Sequence, residues 1–120
     1  MDDRKKLLAK FGDFIRKTRL SSNMGLREFA IKVGISATYI SKMEVGDYAP
    51  PKEENIRKMA KILGLNEDKL ITMAGKLPSD LGEIIGEEPE LYAAFLRRVK
   101  KEDVEKFMQD LEDKKNGKRG

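Results

Sequence analysis

Over residues 7–20 the apolar positions Leu7, Leu8, Phe11, Phe14 and Ile15 recur at spacings of three and four, with Arg, Lys and Asp on the remaining positions. That period predicts an amphipathic helix with one core-facing stripe. The cluster SSNMG at 21–25 breaks it. A short helical pattern at 26–33 follows, closed by Gly34, and Ser36 suits the N-cap of a third helix that ends at Gly46. GDYAPP reads as a loop, and Pro51 suits the first position of a fourth helix carrying Ile56, Met59, Ala60, Ile62 and Leu63 up to Gly64. Asn66, with Glu67 and Asp68 behind it, predicts a fifth helix running to Ala74. No strand-like alternation and no internal repeat interrupts this series.

After Gly75 the texture changes. A short helix at 80–85, a Gly-Glu-Glu-Pro break, a helix at 89–99 and a last amphipathic helix at 102–113 are expected, with KKNGKRG as a frayed tail. The natural division is a first domain at 1–75 and a helical extension at 76–120. Leu91, Phe95, Leu96 and Val99 form one apolar stripe of the extension, and Val104, Phe107, Met108 and Leu111 form another. These stripes either fold back on the first domain or pair two protomers, and we favour pairing because five helices already close a core. A partner-binding role is the further alternative. The run GEEPE reads as a solvated turn whose carboxylates complement a helix N-terminus, not as a metal site.

Composition narrows the chemistry. The 120 residues hold no cysteine and no histidine. Disulfides, thiolate metal sites and cysteine nucleophiles are therefore excluded, and the commonest general base and metal ligand are missing. Ser, Lys and Asp are present, but nothing arranges them as a nucleophile with an activating base. We expect neither an enzyme nor a cofactor. No apolar run approaches the roughly 20 residues of a membrane span, and the N-terminus lacks a signal pattern. A soluble cytoplasmic protein with no membrane partner is the expectation. Charge is uneven: 15 basic against 10 acidic residues up to Gly75, then 10 against 11. A basic first part suits a polyanionic partner.

The segment 26–46 meets every requirement of two short helices crossing steeply at a tight turn. Ala30 is the small residue at the crossing, Gly34 takes the left-handed turn position, and Ile35 plugs the core. Phe29 and Val33 on the first helix face Ile40 and Met43 on the second. With Tyr39-Ile40, Glu44-x-Gly46, Pro50-Pro51 and the Ile56, Ala60, Leu63, Gly64 pattern, the chain resembles the phage repressor/Cro-type (XRE) helix-turn-helix family over about residues 8–74.

That resemblance implies an all-α, five-helix, lambda-repressor-like DNA-binding domain. It also implies a sequence-specific transcriptional regulator, a repressor acting as a homodimer on an inverted repeat in double-stranded DNA. The helix at 36–45 would enter the major groove. Ala37, Thr38 and Lys42 would read bases, and Arg27, Tyr39, Ser41, Tyr48 and Lys52 would reach phosphates. Backbone N–H groups near Leu26 and Pro51 would assist. The resemblance also implies a structural ion pair between Arg19 and Glu44. The chain departs from the family at Gly25 and Leu26, where a Thr-Gln pair is usual. The phosphate clamp there would rest on backbone N–H groups, with Glu28 as half of a capping box. The competing reading is a protein-interaction module, antitoxin-like or bridging-factor-like, that keeps the motif as a scaffold.

Overall fold

The computed structural model describes residues 3–117, and among these it contains eight helices and no strand. The helices are α1 (Asp3–Ser21), α2 (Leu26–Val33), α3 (Ala37–Glu44), α4 (Glu53–Leu63), α5 (Glu67–Met73), α6 (Ser79–Glu87), α7 (Pro89–Arg98) and α8 (Lys101–Lys115). The chain separates into two compact units between Ser79 and Asp80. No helix among the described residues is long and apolar enough to cross a membrane.

In the first unit α1 packs on α3 and α5, α2 on α3 and α4, and α4 on α5. The apolar stripes read from the sequence meet in one core. Phe11 and Ile15 from α1, Phe29 and Val33 from α2, Ile40 and Met43 from α3, Ile56 and Met59 from α4, and Leu70 and Ile71 from α5 are all buried. Each such side chain contributes about 1.5–3 kcal/mol relative to exposure. The burial of Pro78 carries the first unit past Gly75, the end expected for its domain. In the second unit α6, α7 and α8 contain no buried residue at all.

Several boundaries differ from the sequence expectation, each for a local reason. Helix α1 starts four residues before Leu7, because nothing in the charged segment ahead of it breaks a helix. Helix α4 starts at Glu53, not Pro51: Lys52 is its N-cap, and Glu53 and Glu54 occupy the first turn, where carboxylates complement the helix dipole. The break between α6 and α7 shrinks to Glu88, whose backbone leaves helical geometry immediately before Pro89. Helix α8 extends from Lys101 to Lys115, its start fixed by the Lys100 N–H donating to Asp103 Oδ2 at 3.1 Å. The end of the expected frayed tail, 118–120, lies outside the described residues.

Candidate nucleic-acid interface

The turn between α2 and α3 is built on Gly34, whose φ of 85° is the left-handed conformation that a side chain would strain. Its N–H and that of Ile35 both donate to the Ala30 carbonyl, at 2.8 and 3.1 Å, which closes α2 and swings the chain into α3. Ile35 is half-buried against the core below. Ser36 then caps α3, its hydroxyl accepting the Tyr39 N–H at 3.1 Å. One such cap stabilises a helix by about 1 kcal/mol.

Helix α3 has two faces. Ile40, Met43 and Glu44 are buried. Thr38, Ser41, Lys42 and Val45 are exposed and stand at i, i+3, i+4 and i+7, which places them on a single outward stripe. Of the residues expected to read bases, Thr38 and Lys42 belong to this stripe. Ala37 sits at its edge, half-buried, with its methyl group packed against the core. Ser41, expected at a phosphate, shares the face of Thr38 and Lys42. Val45, the C-cap of α3, closes the stripe and is 64% exposed, a position to which sequence reasoning gave no role.

The helix is held from behind by α1. Arg19 grips Glu44 through two parallel hydrogen bonds, Nε to Oε2 at 2.9 Å and Nη2 to Oε1 at 3.0 Å, and its Nη1 donates to the Met24 carbonyl at 2.9 Å. Both side chains are buried. The guanidinium is held above its ordinary pKa chiefly by the Glu44 hydrogen bond, which outweighs the opposing effect of burial. Gly12 completes the contact: a Cβ there would lie 2.2 Å from the Met43 carbonyl oxygen and 2.7 Å from that of Glu44. Only a glycine lets α1 touch the C-terminal end of α3. Sequence reasoning missed it, although a lone glycine inside a helical pattern, costing about 1 kcal/mol against alanine, was the available signal.

The other residues expected at phosphates, besides Ser41, fall into three groups. Arg27 is exposed in the first turn of α2, whose N-cap Gly25 offers no side-chain hydrogen bond, so the first N–H groups of that helix have no side-chain cap. Glu28 does not close a capping box. It pairs instead with Lys32 at 3.3 Å, one turn along the helix. Tyr39 donates its hydroxyl to the Ala49 carbonyl and lies 5.8 Å, centroid to centroid, from the ring of Tyr48. Its single O–H donor therefore fastens the loop after α3, and burial pushes its pKa up. Tyr48 remains nearly half exposed beside it. Lys52 is exposed but pairs with Glu54 at 2.6 Å. The N-terminus of α4, expected to face phosphate, already carries the carboxylates of Glu53 and Glu54. Among the described residues no cluster of acidic side chains could hold a metal ion.

Comparison with known proteins agrees with this geometry. Residues 15–70 match the helix-turn-helix family HTH_3. The uncharacterized HTH-type transcriptional regulator RghRB of Bacillus subtilis (strain 168) is 31% identical over 77 residues. Those residues are 64% of this chain and 55% of RghRB, so the chain spans little more than half the length of that relative. Among solved structures, the clp gene regulator ClgR from Corynebacterium glutamicum shares the fold, with TM-score 0.50 and 20% identity over 77% of this chain and 94% of that one. A chain of the SinR/SinI protein complex aligns over 88% of this chain and 98% of its own, at 20% identity and TM-score 0.48. The match over residues 15–70, the left-handed turn at Gly34 and the two-faced α3 agree that this segment is similar to the helix-turn-helix family HTH_3.

Proposed function

We propose that the chain is a sequence-specific DNA-binding transcriptional regulator, a repressor that acts as a homodimer on an inverted repeat. The observation that carries this reading is the outward stripe of α3. Thr38, Ser41 and Lys42 offer hydroxyl and ammonium groups with no hydrogen bond or ion pair engaging them among the described residues, on a helix clamped from behind by Arg19 and Gly12. Lys42 would donate to the O6 and N7 acceptors of guanine, and Thr38 and Ser41 would hydrogen-bond base edges. Ala37 and Val45 would supply apolar contact at the two margins, Ala37 with the open part of its methyl. Arg27 and the uncapped start of α2 would hold one phosphate. Tyr48 would hold another, with Tyr39 setting its ring. For Lys52 to reach DNA it would exchange Glu54 for phosphate. Repression follows from occupying promoter DNA, with no catalysis and no cofactor, and the place of action is the cytoplasm.

Selection from a random DNA pool at physiological salt tests this. Enrichment of a motif made of two inverted half-sites about 34 Å apart is the expected result. A pool that enriches nothing sinks the sequence-specific reading. A second reading, a protein-interaction module, draws on the unburied helices α6 to α8. It gains if no motif enriches while the chain still associates.

A further inference from the structure

The second unit lacks an interior of its own. None of the residues in α6, α7 and α8 is buried, and Leu91, Phe95, Leu96, Phe107, Met108 and Leu111 are each 45–63% exposed. The rings of Phe95 and Phe107 stack at 6.2 Å, which joins α7 to α8. Beside them lies an open groove of about 410 Å³, lined by Leu91, Ala94, Phe95, Val99 and Phe107, with Arg98 and Asp103 at its rim. Helices this short do not persist in water without packing, so an apolar surface of this kind calls for a cover.

The charges of α7 say what covers it. Glu90 and Arg97 are seven residues apart, two helical turns, and so lie on one side of the helix, about 10 Å apart along its axis. Both are exposed, and neither has an ion-pair partner among the described residues. Ala94, which lines the groove, lies between them and is small enough to let a second helix come close. A helix acidic at one end of a stripe and basic at the other is complementary to itself when turned end for end. A two-fold axis near Ala94 puts Glu90 against Arg97 of the second copy, and Arg97 against Glu90 of the second copy, while the grooves close on each other.

We infer that the α7–α8 face binds a second copy of this chain, α7 against α7 in antiparallel register set by Glu90 and Arg97. This deepens the reading of the chain as a paired regulator and rests on it only for what the pairing is used for.

The test is sedimentation of the 120-residue chain and of two surface variants, Glu90→Arg and Arg97→Glu. Each variant faces itself with like charges, and its dimerisation should weaken about tenfold or more. An equimolar mixture of the two variants restores opposite charges across the axis and should recover the dimer as a heterodimer. Both positions are exposed, so circular dichroism should show each variant as helical as the parent. A parent chain that stays monomeric at about 100 μM overturns the inference, and the cover is then another protein. So does a dimer indifferent to both reversals, or a mixture that recovers nothing. A dimer that enriches no DNA motif leaves this interface standing and removes the proposed function. A monomer that enriches one removes this interface and the homodimer of the proposed function, and keeps its sequence-specific DNA binding.

Discussion

Lys42 stands exposed one turn beyond Thr38, with no ion-pair partner among the described residues. If it donates to a base edge, Lys42→Ala should cost about 1–3 kcal/mol on the preferred sequence and relax the choice of base at one step. Binding measured on the operator and on single-base variants decides this, because an equal loss on every sequence places Lys42 at a phosphate. Gly12 makes the opposite kind of prediction. Gly12→Ala raises intrinsic helix propensity, yet its new methyl meets two backbone carbonyls that cannot turn aside. We expect net destabilisation of about 1–3 kcal/mol, read as a lower midpoint in thermal unfolding. The exposure of Lys42 was legible in the sequence because a lone cation opposite the apolar stripe of a short helix is a local pattern. Gly12 was not, since the carbonyls that exclude a side chain there come from a helix about thirty residues further along.

Among the elements, α3 depends most on its neighbours. Its buried carboxylate is neutralised by a single guanidinium from α1. Arg19→Met should cost about 3–5 kcal/mol, because Glu44 is left buried and unpaired. Arg19→Met combined with Glu44→Leu should recover most of that loss, and denaturant unfolding of the three proteins checks it. Helix α4 carries a second network. Glu53 accepts hydrogen bonds from Arg57 of its own helix and from the backbone and hydroxyl of Ser79, and Arg57 also reaches Glu67 of α5 at 3.0 Å. The Arg57 bonds lead in holding the Glu53 pKa below its ordinary 4.5. Its contribution is therefore complete above about pH 4.5 and fades as acid carries the solution through the lower folded value. Glu53→Gln should flatten that part of the acid stability curve and leave the curve near pH 7 with the same slope. The positions of these helices could be read from apolar spacing and caps. The start of α4 could not, because two prolines and two glutamates compete for the first turn and only the folded chain shows that the glutamates occupy it.

For the whole molecule, the five-helix first unit was legible because its stripes, caps and turn residues all point to one packing. The second unit was legible only as helices. Beyond the Phe95–Phe107 stack its apolar positions stay unburied within the described unit, and periodicity alone does not say what an apolar face meets. The surplus of basic residues before Gly75 has a consequence at this scale. If several phosphates are neutralised, the logarithm of affinity should fall linearly with the logarithm of salt concentration, with a slope of about −0.9 per phosphate. Fluorescence anisotropy across a salt series measures that slope. Arg27→Ala should reduce it by about one without changing the preferred sequence.

The two faces of α3 share no residue. Ile40, Met43 and Glu44 hold the helix in place, while Thr38, Ser41, Lys42 and Val45 point away from everything that does so. Drift at the second set therefore costs the fold little, since exposed substitutions usually change stability by about 0.5 kcal/mol or less. If these four side chains read DNA as proposed, a lineage carrying this scaffold can exchange one operator for another through them while the architecture stays still. Across its descendants, address and stability are then separately heritable traits.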